Sequence, residues 1–85
     1  MEGQRLILKN GTVIEDGRAG FFDGSLWLWM PGLTMAEAAA IAFDSSATSR
    51  IIFQYGDMED VHSGYTVCTI LMQDGNEIAV CLVKG

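Results

Sequence analysis

The chain has little of what staples or specialises a small protein. Two cysteines in 85 residues are too few for a disulfide framework and too few for a cysteine-based zinc site. The core is therefore expected to hold the fold unaided. Positive charge is scarce as well: 5 Lys and Arg stand against 11 Asp and Glu, a net charge of -6. That balance opposes any partner bound by neutralising phosphates, so neither nucleic acid nor an anionic membrane is expected as a partner. Long apolar runs are missing too. A run such as Leu26 to Pro31 falls far short of the ~20 residues that span a bilayer. The opening Met1-Glu2-Gly3-Gln4-Arg5 lacks a basic segment followed by an apolar one, which predicts a cytoplasmic protein.

What is present is apolar and weakly charged: 49% hydrophobic residues, 19% charged and one proline, a composition that excludes disorder and low-complexity sequence. The expectation is a single small α+β domain over residues 1–85. A chain of this size buries only about 60 to 65% of its unfolded surface, which favours self-association.

Turn residues divide the chain into hairpins. Asn10-Gly11 separates Arg5–Lys9 from Thr12–Asp16, and a two-residue type I′ turn there sets Leu8 opposite Val13, Ile7 opposite Ile14 and Arg5 opposite Asp16. Gly17 to Gly20 reads as a break. Phe21-Phe22 and Leu26–Met30 then flank a second turn at Asp23-Gly24, as a hairpin or a long bent strand. Pro31-Gly32 stops that strand, and Thr34-Met35-Ala36-Glu37 has the spacing of a capping box, predicting a short helix over about 35–43. Its apolar stripe is Met35, Ala38 or Ala39, and Ala42 with Phe43. Ser45 to Ser49 reads as loop, Arg50–Tyr55 as a strand and Gly56 to Gly64 as an acidic loop. Two further strands flank Asp74-Gly75. With those two residues as the loop, facing numbers sum to 149, which pairs Leu71 with Ile78, Thr69 with Val80, Val67 with Leu82 and Cys68 with Cys81. One face of this hairpin is core. The other carries Thr66, Cys68, Ile70, Met72, Ala79, Cys81 and Val83, and needs a cover. The predicted architecture is a largely antiparallel β-sheet of hairpins with one short α-helix.

The stretch richest in possible ligands is Asp57-Met58-Glu59-Asp60-Val61-His62. Asp57, Glu59, Asp60 and His62 supply oxygen and nitrogen donors of the kind hard cations and zinc accept, although their spacing matches neither an EF-hand nor H-E-x-x-H. A solvated acidic loop is the plainer reading. His62 is the only histidine, so a general base of that type would have to be this residue. The nucleophile candidates Cys68, Cys81, Ser25, Ser45, Ser46, Ser49 and Ser63 fall in no G-x-S-x-G or His-paired pattern, and no glycine motif for phosphate binding is present. Cys68 and Cys81, close enough to bridge in the 149 register, are expected to be reduced in a cytosolic protein. Trp27 and Trp29 alternate along one strand and share a face, either as core packing or as a patch for a partner, a sugar or a base.

Leu8-Lys9-Asn10-Gly11-Thr12, Leu33-Thr34-Met35-Ala36-Glu37-Ala38 and Gly64-Tyr65-Thr66-Val67 resemble small uncharacterised proteins of phage and prophage regions in Gram-positive gut bacteria. The resemblance implies a minor virion, assembly or accessory protein with no cofactor, and brings no catalytic residue.

The functional expectation is a noncatalytic protein-interaction or structural domain acting through apolar and aromatic sheet surface, with Trp27, Trp29, Cys68, Ile70 and Met72 as that surface. The alternative is a small metal-binding module or metal-dependent enzyme using residues 57–62. A homodimer is expected, because a hairpin with two apolar faces needs two covers and because Ile51–Tyr55 carries no charge or proline to protect a free edge.

Overall fold

The computed structural model describes residues 3–44, 48–73 and 77–85. The chain folds as β1 (Gln4–Leu8), β2 (Val13–Glu15), β3 (Arg18–Phe22), β4 (Ser25–Met30), α1 (Met35–Ala42), β5 (Arg50–Tyr55), β6 (Met58–Ser63), β7 (Tyr65–Gln73) and β8 (Glu77–Lys84). The α+β class, the antiparallel hairpins and, among the described residues, one short helix over 35–42 are as the sequence predicts. The strands, however, divide between two four-stranded sheets, ordered β2-β1-β5-β6 and β3-β4-β8-β7. All neighbouring strands are antiparallel.

The core lies between the sheets. Leu6, Leu8, Ile14 and Ile51 from the first meet Leu26, Leu28, Met30, Ile78, Val80 and Leu82 from the second, with Ala38 and Ala42 of α1 completing the cluster. Alternation sorts each strand: Leu26, Leu28 and Met30 are buried while Ser25, Trp27 and Trp29 are half-buried, as a period of two requires. The helix begins where the capping box predicts. Thr34 Oγ1 accepts from the Glu37 N–H at 3.1 Å, and the Thr34 N–H donates to Glu37 Oε1 at 2.9 Å. Ala38 and Ala42 face the core, whereas Phe43 is the C-cap and 75% exposed, so the predicted stripe is narrower than its sequence suggests. The loop expected over Ser45 to Ser49 falls in part on residues 45–47, outside those described.

The Asp23-Gly24 turn is a true hairpin turn, with positive φ at both residues (55° and 78°) and Phe22 opposite Ser25. This is the geometry of type I′. The first hairpin differs from expectation. Only Gly11 of the Asn10-Gly11 pair has positive φ, 91°. The Gly11 N–H returns to Leu8 O and the Leu8 N–H to Thr12 O, each at 2.9 Å. The loop is therefore three residues, and the register is Arg5↔Glu15, Leu6↔Ile14 and Ile7↔Val13. One step of register puts Leu6, Leu8 and Ile14 together on the core face. The predicted break at 17–20 is also mostly strand, since β3 starts at Arg18.

Three further corrections bear on function. The acidic loop over 56–64 is a strand: Gly56, at φ 58°, opens a two-residue turn that sets Tyr55 opposite Met58 and runs on to Arg50↔Ser63. The stretch Ile51–Tyr55 belongs to β5, which lies between β1 and β6 and is no free edge. In the last hairpin the turn assigned to Asp74-Gly75 lies outside the described residues. Beside it the register is Gln73↔Glu77, Leu71↔Ala79, Ile70↔Val80 and Thr69↔Cys81, so facing numbers sum to 150. The irregularity between Val67 and Thr69 then restores Val67↔Leu82. An extra residue in one strand shifts the alternation by one, which puts both Val67 and Ile70 against the core.

Candidate functional site

The outer face of the second sheet is built by its registers. Directly paired residues share a face, so Arg18, Trp29, Ala79 and Leu71 form one row across β3, β4, β8 and β7, and Gly20, Trp27, Cys81 and Thr69 form the next. The small residues of β8 lie under this layer: Ala79 is 0% exposed and Cys81 6%. Phe22 follows at the end of β3, facing Ser25.

Phe21, Phe22, Trp27 and Trp29 line a depression of about 350 Å³. Phe22 is 68% exposed and Phe21 60%. Gly20 lies beside the indole, where a Cβ would meet Trp29 Cζ3 at 3.5 Å, an ordinary contact distance. At the other side of Trp29, the Arg18 guanidinium carbon sits 5.1 Å from the ring centroid, within cation–π range. Its Nη2 donates to both carboxylate oxygens of Glu77 at 3.1 Å. The arrangement is a clamped indole beside a row of open aromatic rings. It can take up an apolar or aromatic side chain without any chemical step.

Phe21 also joins the two sheets. Its ring meets His62 edge-on at 5.3 Å and lies 6.5 Å from Tyr65, while Lys84 Nζ stands 4.6 Å from the Tyr65 ring centroid. His62 is thus packed in an aromatic seam. Alternation on β6 puts Asp60 and His62 on one side of the strand and Glu59 on the other. Glu59 accepts from Gln54 Nε2 and Asp60 accepts from Tyr55 Oη at 3.2 Å. That Tyr55 bond, with some burial and the nearby Asp60 charge, raises the Tyr55 phenol above its ordinary pKa. Asp57 sits in the β5–β6 turn. Among the described residues, Asp57, Glu59, Asp60 and His62 form no group able to hold a metal ion, because a strand separates what a loop could have gathered.

Of the surface residues expected from sequence, Trp27 and Trp29 are on the aromatic face and the other three are not beside them. Ile70 packs on the core. Met72 pairs with Ile78 on the core side, yet is 56% exposed. Cys68 lies at the β7 irregularity, exposed, and does not face Cys81; both thiols are free. Sequence reasoning missed Phe21, Phe22 and Arg18 as members of the site. The signal was available in the Asp23-Gly24 turn, whose two-residue geometry fixes Arg18 opposite Trp29 and Gly20 opposite Trp27.

No protein-family model matches the chain, and no curated protein or solved structure is similar to it. No helix among the described residues is long and apolar enough to cross a membrane.

Proposed function

We propose that this chain is a noncatalytic protein-interaction or structural domain that engages a partner protein through the aromatic face of its second sheet. The observation that carries the reading is Phe22, 68% exposed beside the half-buried Trp27 and Trp29, with Phe21, 60% exposed but paired with Leu26 on the other side of the sheet, bordering the same depression. Clustered open aromatics of this kind are enriched at protein interfaces, where one or two rings supply most of the binding energy. The clamp on Trp29 favours a preformed site, which lowers the ordering cost of association. The resemblance to phage and prophage proteins supports an accessory or assembly role. We take its place of work to be the cytoplasm, or the virion where that resemblance applies.

Pull-down from host lysate with the wild type and with Phe22→Ser and Trp27→Ala tests the reading. Circular dichroism serves as the check on folding. The expected result is loss of the captured partner with both variants. Retention of every partner by both folded variants would remove this face from consideration.

A further inference from the structure

We propose that β7 is a self-association edge, along which the Thr69–Gln73 segment pairs antiparallel with the same segment of a second copy across a two-fold axis. This goes beyond the aromatic face and does not rest on it.

The two sheets end in four edge strands: β2 and β6 in the first, β3 and β7 in the second. Charge and length separate them. β2 has three residues and carries Glu15, β3 carries Arg18, and β6 carries Glu59 and Asp60. Pairing β6 with itself would bring four carboxylates into one ladder on a protein already at net charge -6. β7 is the longest at nine residues, Tyr-Thr-Val-Cys-Thr-Ile-Leu-Met-Gln, and has neither a charged residue nor a proline. Those are two of the devices by which edge strands avoid pairing; a third, the bulge, is present in β7 only at Cys68, before the segment from Thr69 to Gln73.

The first part of β7 adjoins the helix. Tyr65, Thr66 and Val67 line a recess with Ala42 and Phe43 at the end of α1. Past the irregularity at Cys68 the strand is regular from Thr69 to Gln73, and the middle residue of that segment is Leu71. A two-fold axis through Leu71 makes the segment complementary to itself. Leu71 meets its own copy, Thr69 meets Gln73, and Ile70 meets Met72 twice, so that apolar faces apolar and polar faces polar.

Met72 supplies an independent sign. It is on the core side of the sheet, opposite the fully buried Ile78, yet it is 56% exposed. Its uncovered flank lies where the Ile70 of a second copy would pack. Leu71, 43% exposed, would be covered in the same event, and the outer row that runs from Arg18 through Trp29 and Ala79 to Leu71 would continue into the second protomer.

Light scattering across a micromolar concentration series tests the assignment, with backbone amide exchange as the second readout. The wild type should reach twice 9.2 kDa and stop there, with slowed exchange in Thr69–Gln73 that grows with concentration. Leu71→Lys sets two cations opposite each other at the axis and should return the mass to that of one chain. Thr69→Lys, on the same face of the strand, should weaken the dimer in the same direction, and Val61→Lys on β6 should leave it intact. A wild type that stays at one chain would overturn the proposal. So would a mass that climbs without limit, or a dimer that survives Leu71→Lys and Thr69→Lys but not Val61→Lys.

Discussion

Arg18 and Trp29 are paired across β3 and β4, and the Arg18 guanidinium lies 5.1 Å from the indole centroid while its Nη2 holds both oxygens of Glu77 at 3.1 Å. One side chain thus ties an edge strand to the centre strand two places away and covers one side of an aromatic ring. Arg18→Ala should cost about 1 kcal/mol, the sum expected of an exposed cation–π contact and a partly exposed ion pair. With Arg18 45% and Glu77 27% exposed at the side chain, screening applies, so the difference between variant and wild type should shrink in 1 M salt. Urea unfolding at two ionic strengths measures both effects, and tryptophan emission should shift to longer wavelength as the indole gains water. An equal cost at both salts would assign the loss to packing rather than charge.

Gly17 is the tightest point on the path from the first sheet to the second. A Cβ there would come within 2.9 Å of both Leu6 Cγ and Leu6 Cδ1 and 3.0 Å of the Ile14 carbonyl oxygen. Leu6 is 0% exposed and has nowhere to move. Gly17→Ala should therefore lower stability by about 1 to 3 kcal/mol, the usual range for overpacking. Gly20→Ala, whose Cβ meets Trp29 only at ordinary contact distance, should change it by less than about 0.5 kcal/mol. Urea midpoints of the two variants should separate clearly; coincident midpoints would mean that the crossing is looser than its geometry.

The Tyr55–Asp60 bond has a pH signature. The carboxylate accepts from the phenol at 3.2 Å and, with some burial, raises the Tyr55 pKa, so the folded protein favours the neutral phenol. For a group raised in the folded state, the stabilising contribution is complete below the ordinary tyrosine pKa of about 10 and is lost as pH rises through the higher folded value. Asp60→Asn should therefore let tyrosinate absorbance at Tyr55 appear at lower pH than in the parent. A Tyr65→Phe background isolates the signal. Unchanged titration would show that the bond is not formed in solution.

The structure shows why the sequence was legible at some hairpins and misleading at others. The Thr34 capping box was read correctly because one geometry satisfies its backbone groups, and Asp23-Gly24 because the chain takes the two-residue turn that this pair favours. Asn-Gly has two: a two-residue turn with both residues at positive φ, or a three-residue loop in which the glycine alone takes it. The chain uses the second, with Asn10 Oδ1 accepting from the Thr12 N–H at 3.0 Å. The burial of Leu6 with Ile14, rather than any turn residue, decides between them. The last hairpin differs for a related reason: beside its turn the facing numbers sum to 150, a one-residue shift that no composition signal marks and that the irregularity at Cys68 undoes. The metal alternative drew on an acidic run that looked like loop because Glu59 and Asp60 have low strand propensity; its place beside β5 overrides that preference. The aromatic face was half visible. Alternation gave Trp27 and Trp29, while Phe22 and Arg18 needed the partner strand.

The order of strands has a consequence for how the molecule comes together. The centre of the first sheet is β1 against β5, and the centre of the second is β4 against β8. Each sheet is therefore completed only when a hairpin from before α1 meets one from after it. Neither half of the chain holds a whole sheet: cut between α1 and β5, each fragment would keep one hairpin of each sheet, and so only part of the core. Such fragments should be unstructured apart and regain the fold on mixing, and the intact chain should fold slowly for its size, because its deciding contacts close the longest loops.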